Sequence, residues 1–236
     1  MKPILFNTEM VRAILDGRKT VTRRLMKPQP YSEKTDGPLF WRWKDCQWAD
    51  GGLGFPESGT EDHAPYKPGD ILYVRETWAH GYIETGDKEG PNDSWFEETP
   101  VGCSGYLGEL GYFHYRADNE EYFNEINIRW KPSIHMPKEA ARIFLRVTDV
   151  RAERLQSIDE DGAIAEGCAP VTCPTCFGIG GRCTDCNGTG AIEPAMLDFV
   201  DTWNSTLKKK DLPRYGWEAN PWVWVIEFER AERDSV

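Results

Sequence analysis

Apolar residues along this chain change their spacing several times, and each change marks an element. In "TEMVRAILDG", Met10, Val11 and Ile14 recur at helical intervals, which predicts a short helix with Thr8 as its N-cap and Gly17 as its left-handed stop. The following "KTVTRRL" is rich in β-branched residues and predicts a strand, with Thr20, Thr22 and Arg24 on one face and Val21 and Arg23 on the other. The prolines of "MKPQP" end it. Further strands are expected from about Asp70 to Glu76, from Tyr112 to Ala117 and within "ARIFLRVTDVRAERL". In "NPWVWVIEFER", Trp222, Trp224, Ile226 and Phe228 alternate with Val223, Val225 and Glu227, the pattern of a core strand.

Two helices precede that strand. In "QSIDEDGAIAEG", Ser157 stands three residues before Glu160, a capping box that predicts a short helix ending near Glu166 and Gly167. In "EPAMLDFVDTWNSTL", Met196, Phe199, Val200, Trp203 and Leu207 recur at helical spacing, with Pro194 suited to the first turn. By contrast, segments at about 31–66 and 81–110 are rich in Gly, Pro, Asp and Trp without a sustained period, and read as irregular insertions. Regular βαβ units do not fit between the strands. The expected class is α+β, a small mixed barrel with helices at its rim, built as a single domain over residues 1–236.

Composition narrows this further. Of the 236 residues, 39% are hydrophobic and 28% charged, which suits a folded chain with a real core. No apolar run approaches the ~18 residues of a membrane span, and "MKPILFNTEM" lacks the long apolar region of a secretory signal, so a cytoplasmic protein without membrane association is expected. The net charge of −11 argues against broad, charge-driven coating of nucleic acid. Yet residues 12–27 hold six basic side chains and one acidic, a local +5 that leaves −16 for the rest. That contrast points to a localised site.

The most specific local pattern is "CPTCFGIGGRCTDCNGTG". Cys173 and Cys176, then Cys183 and Cys186, make C-x2-C-x6-C-x2-C, and each pair opens a C-x2-C-x-G-x-G unit that repeats after ten residues. Two close pairs on facing turns supply the four soft ligands that tetrahedral zinc takes at ~2.3 Å. A structural Zn2+ module over residues 168–191 is therefore expected, with all four positions filled by protein and no room for catalysis at the metal. Redox dithiols are the alternative chemistry. The repeat resembles the zinc-binding repeats of DnaJ-type co-chaperones over these residues only. Cys46, Cys103 and Cys168 have no place in the pattern, although Cys168 stands near enough in sequence to substitute as a ligand.

Around the basic strand, Lys19 is a candidate base or cation, Thr22 a candidate nucleophile and Arg24 a fork for phosphate or carbonyl oxygen. A threonine hydroxyl is inert until a neighbouring base takes its proton. Read alone, "KTVT" equally describes an ordinary strand threonine, and the basic run a solvated face.

A resemblance adds to this reading. "ILDGRKTVTRR", "KPGDILYVRETWA", "WKPSIHMP", "LQSIDEDGAIAEG" and "NPWVWVIEFER", in this order, resemble the ASCH-domain family, particularly its larger phage and prophage members. The likeness spans the ordered skeleton over residues 4–230 and leaves out the insertions and the cysteine module. It implies a PUA-like β-barrel and a cleft associated with RNA or modified nucleosides. The small N4-acetylcytidine amidohydrolases of that family carry a Lys-Thr-Glu constellation. Their G-R-K-T-x-T-x-R pattern is met by Gly17, Arg18, Lys19, Thr20, Thr22 and Arg24, and their K-x-G-D-x-L pattern by Lys67, Gly69, Asp70 and Leu72. The resemblance thus implies Lys19, Thr22 and Glu166 as catalytic residues.

Three classes of function remain open at this point. The first is an amidohydrolase acting on N4-acylated cytidine. The second is a binding module without turnover, in which Lys19, Arg24 and Arg75 hold phosphate, Arg18 and Arg23 widen a basic rim, and Trp78 stacks on a base of a nucleotide, modified nucleoside or single-stranded RNA. Core packing is the alternative role for Trp78. The third is a structural or protein-interaction module that uses the zinc module and acidic loops as partner surfaces. A ribonuclease is a further alternative.

Overall fold

In chain order the strands are β1 (Lys2–Leu5), β2 (Val21–Leu25), β3 (Tyr31–Lys34), β4 (Leu39–Trp43), β5 (Cys46–Ala49), β6 (Ile71–Arg75), β7 (Trp78–Gly86), β8 (Asp93–Glu98), β9 (Tyr112–Tyr115), β10 (Phe144–Arg154), β11 (Val171–Thr172), β12 (Ala191–Glu193) and β13 (Trp222–Ala231). The helices are α1 (Thr8–Leu15), α2 (Glu160–Ala165), α3 (Ala195–Ser205) and α4 (Leu212–Tyr215). The structure, a computed structural model, describes residues 1–34, 39–44, 46–49, 64–86, 93–98, 100–101, 112–118 and 128–232. Hydrogen bonding joins five strands in the order β1-β6-β10-β13-β2, with β1 and β2 at the ends. Among the described residues this order does not close into a barrel. The class is mixed α+β, mostly strand, and no helix among the described residues is long and apolar enough to cross a membrane.

The chain divides into two compact units, one of residues 1–16, 71–145 and 230–236, the other of residues 17–70 and 146–229. In the first, β1 runs parallel to β6 with Ile4 opposite Val74, and β7 is the central strand of the β8-β7-β9 sheet. Helix α1 is capped by Asn7 rather than Thr8: the Asn7 Oδ1 accepts from the Met10 amide at 2.8 Å. Asparagine caps at least as well as threonine, and standing one residue earlier it satisfies the amide a full turn in. Val11 and Ile14 are buried as their spacing predicts, whereas Met10 is half-buried.

In the second unit β2 runs antiparallel to β13, which sets Thr22 opposite Ile226 and Arg24 opposite Trp224. On one side of these strands α2 and α3 cover a core of Val21, Leu155, Phe199, Trp203, Val223 and Val225. Within the segment 31–66, expected to be irregular, residues 31–34, 39–43 and 46–49 form the three-stranded sheet β3-β4-β5. Its strands are short, but Trp41 and Trp43 meet Trp222 and Trp224 edge-on at 5.8 and 5.5 Å, so burial of aromatic surface supplies what local pattern lacks. Residues 50–63 of that insertion lie outside the described residues. The insertion at 81–110 likewise carries strand: β7 and β8 pair from Gly81 opposite Glu98 to Gly86 opposite Asp93, and residues 87–92, 99 and 102–110 are outside the described set.

The capping box also resolves differently. Asp159, not Ser157, caps α2, accepting from the Gly162 amide at 2.8 Å. Glu160 instead accepts from the first two amides of α3, Ala195 at 2.6 Å and Met196 at 3.2 Å. Pro194 precedes α3 without a side-chain acceptor of its own, so its open amides draw the carboxylate of the neighbouring helix.

Candidate functional site

The site is built where the basic run meets the C-terminal end of α2. The last carbonyls of a helix lack intrahelical partners. Here the Thr20 amide donates to the Ala165 carbonyl at 2.9 Å, Lys19 Nζ to the Glu166 carbonyl at 2.6 Å and Arg18 Nη1 to the Gly167 carbonyl at 2.9 Å. Three successive residues thus satisfy three successive carbonyls in reverse order. The Thr20 carbonyl accepts from the Phe228 amide at 2.9 Å, which ties the run to β13.

That docking carries Lys19 into the interior. Its ammonium lies 2.5 Å from Glu166 Oε2, and the two residues are only 2% and 6% exposed. The second carboxylate oxygen of Glu166 faces Arg23 Nη1 at 3.4 Å, while Arg23 Nη2 lies 3.9 Å from Glu153. Burial lowers the Lys19 pKa; the charge of Glu166 opposes that shift and the charge of Arg24 adds to it. Burial also lowers Arg24 against the pull of Glu166, and raises the Tyr66 phenol against the charge of Arg24. Thr22 is buried on the β2 face shared with Arg24, away from Val21 and Arg23.

The sequence-predicted residues therefore separate into groups. Lys19, Arg23 and Glu166 come together, Arg24 lies within the field of Glu166, and Arg18 holds the adjacent carbonyl. Arg23, expected on an open basic rim, is interior: its guanidinium sits between Glu166, Glu153 and the Phe199 ring, whose centroid is 5.9 Å away. Its charge faces these two carboxylates and not an open basic rim. Arg75 and Trp78 belong to the other unit. Arg75 Nε donates to the Met136 carbonyl at 2.8 Å. Trp78, 4% exposed, packs in a cluster with Met136, Ala140, Ala141 and Phe144, so it is a core residue rather than a stacking platform. Sequence reasoning missed Glu153; its signal was the alternation of Asp149, Arg151 and Glu153, which places all three on one face of β10.

A second cluster is formed by Cys173, Cys176, Cys183 and Cys186, whose sulfurs all lie within 4.8 Å of one another. The short pair β11–β12 closes the base of the module. Sulfurs at the corners of a tetrahedron of ~2.3 Å radius stand ~3.8 Å apart. Cys173 and Cys183 are 3.8 Å apart and Cys176 and Cys186 3.6 Å, so the residues present fit a metal ion. Amides of Gly180 and Gly190 donate to the sulfurs of Cys176 and Cys186 at 3.4 and 3.2 Å. A Cβ at Gly180 would fall 2.4 Å from the Gly188 carbonyl, and one at Gly190 2.5 Å from that of Gly178, so the two halves interlock through glycine alone. Burial works against ionising Cys186, yet the Gly190 amide and neighbouring thiols bring it down to about 7. Cys168 is not part of the cluster: it lies in the core under α3, and burial, with the carboxylates of Asp198 and Glu166, pushes its thiol up to about 12. The side chains of Cys46 and Cys103 lie outside the described residues.

No protein-family model, no curated protein and no solved structure matches the chain.

Proposed function

We propose that the chain is an ASCH-type protein with a PUA-like core that takes up a modified nucleoside, alone or in single-stranded RNA, and hydrolyses the amide of N4-acylated cytidine. The observation that carries this reading is the buried contact between Lys19 Nζ and Glu166 Oε2 at 2.5 Å, made by residues 147 positions apart. A lysine enclosed in this way loses its proton more readily than one in water. In the proposed reaction neutral Lys19 takes the proton of Thr22 Oγ as that oxygen attacks the acyl carbonyl carbon. Glu166 orients the lysine, and Arg24 stabilises the oxyanion. The bond to the cytosine amine breaks as Lys19 returns the proton to the leaving nitrogen. Water, deprotonated by the same lysine, then cleaves the threonine ester and restores the hydroxyl.

Zinc is the metal assigned to the four cysteines, in a structural role that closes the loop between α2 and α3. No step of the reaction passes through it. A second reading, docking of a protein partner through the module, is favoured by Phe177 and Ile179, which are 81% and 88% exposed at its tip.

The test is turnover of N4-acetylcytidine to cytidine and acetate, followed by chromatography. Thr22→Val keeps the shape of the side chain and should lower the rate at least ~10³-fold while the melting temperature stays unchanged. Full activity in that variant would overturn the mechanism. Absence of turnover in the native protein would leave the site without its proposed chemistry.

A further inference from the structure

The Val21 and Arg23 face of β2 borders a cleft of about 360 Å³ that the proposed reaction does not use. That volume falls within the range of small-ligand sites. Val21, Ile158 and Ala165 supply apolar surface, and Arg23, Glu153 and Asp161 supply charge. Arg23 is 7% exposed, and its Nε–H is buried without a hydrogen-bond partner. Its two other contacts are long, 3.4 Å to Glu166 and 3.9 Å to Glu153. An unpaired buried donor is costly, so the guanidinium favours an incoming acceptor. Helix α2 packs closely against the guanidinium at Gly162, where a Cβ would lie 2.9 Å from Ile158 Cγ1, 3.1 Å from Asp159 Oδ1 and 3.4 Å from Arg23 Nη2.

The remaining charges define what else a ligand needs. Arg151 is held by the carboxylates of Asp149, Glu153 and Glu227, so its charge is already matched. Asp159 is spent on capping α2. Asp161 is exposed and makes no hydrogen bond or ion pair among the described residues. Two arginines against Glu153, Asp159, Asp161 and Glu227 leave the lining at a net −2. An anion alone would be repelled there, whereas a cation alone would leave Arg23 Nε unmet.

We propose that this cleft binds a small zwitterion of the amino-acid class, whose carboxylate accepts from Arg23 Nε and whose cationic group pairs with Asp161. Because Arg23 Nη1 also faces Glu166, occupancy of the cleft bears on the Lys19–Glu166 pair through one side chain.

Calorimetric titration of the full chain with L-arginine tests this without reference to turnover. Saturable binding of one molecule per chain is expected, with agmatine, which lacks the carboxylate, and N-acetylglycine, which lacks the cation, each at least ~10-fold weaker. Arg23→Lys keeps the charge but removes the Nε–H and should weaken L-arginine ~10-fold, and Asp161→Asn should weaken it about 5-fold. Thr22→Val should bind as the native chain does, which separates failure of this site from failure of the hydrolase reading. No binding of L-arginine, or agmatine binding as tightly, would overturn the proposal. So would unchanged affinity in Asp161→Asn, an exposed position that does not disturb the buried charges should Arg23→Lys fail to fold.

Discussion

Glu76 and Glu166 are both buried acids met by a cation, yet the partners differ in kind. Glu76, 1% exposed, receives Arg142 through two parallel bonds, Nε to Oε1 at 2.9 Å and Nη2 to Oε2 at 3.0 Å. The same guanidinium donates to Asp118 at 2.9 Å and lies 3.9 Å above the Tyr115 ring. Every edge of that arginine is engaged, and a guanidinium does not release its proton in a protein. Glu166 meets a lysine instead, a point charge on a flexible stem, with a second cation on its other oxygen. Burial moves Lys19 toward losing its proton, whereas the bonds to Glu76 and Asp118 hold that of Arg142 in place. One pair is a brace. In the other, burial draws the lysine toward its neutral form, and the identity of the cation makes the difference.

Removing the cations should give the largest contrast. Arg142→Met leaves Glu76 buried beside Asp118 with nothing to neutralise it, and should cost ~3–5 kcal/mol in urea unfolding. Lys19→Met leaves Arg23 still 3.4 Å from Glu166, so its cost should be clearly smaller. An equal or larger loss from Lys19→Met would make the lysine pair the structural one and break the comparison.

The pH dependence separates the pairs next. Burial raises Glu76 above its usual 4.5, with Arg142 opposing. Between 4.5 and the raised value the native state holds more protons than the unfolded chain, so stability falls as pH rises through that window. Lys19 is shifted down from 10.5, so between the lowered value and 10.5 it is the unfolded chain that holds more protons, and stability rises with pH. Each effect is limited to ~1.4 kcal/mol per pH unit. Unfolding free energies measured across pH should show Glu76→Gln flattening the acid limb and Lys19→Met flattening the alkaline limb. Lys19→Met leaving the alkaline limb unchanged would mean that the lysine titrates as in water.

What could be read beforehand follows the range of the forces involved. Strands β2, β6, β9, β10 and β13 were legible because alternation and β-branched residues are local. The four cysteines were legible because their ligands sit within 14 consecutive positions. The Lys19–Glu166 contact, 147 positions apart, came only from the order of motifs in the ASCH resemblance, since no periodicity links the two residues. Strands β3 to β5 were not legible: Trp41 and Trp43 of the central strand β4 pack on tryptophans of β13, far along the chain. Glu160 shows the same limit at short range, because a carboxylate at capping distance does not reveal which helix's amides it will serve. The interior position of Arg23 depended on Glu153 and Phe199 arriving from two other elements.

Metal removal should produce the smallest change at the pairs, and for that reason it sharpens the comparison. The module begins only a few residues after Glu166, but Glu166 is held from the other side: the basic run bonds the α2 carbonyls, and Glu160 joins α2 to α3 without passing through the cysteines. The native chain should contain about one zinc, lost in Cys183→Ser. Chelation should then raise hydrogen exchange across residues 171–193, where Gly181 and Gly188 and the two short strands depend on the interlocked halves. The NMR resonance of the Lys19 ammonium should stay where it is, because its partners are the Glu166 carboxylate and carbonyl, and neither is a metal ligand. A shift of that resonance on chelation would mean that the metal clip positions Glu166, joining the module to the Lys19–Glu166 pair and leaving the Arg142–Glu76 brace as the one of the two independent of it.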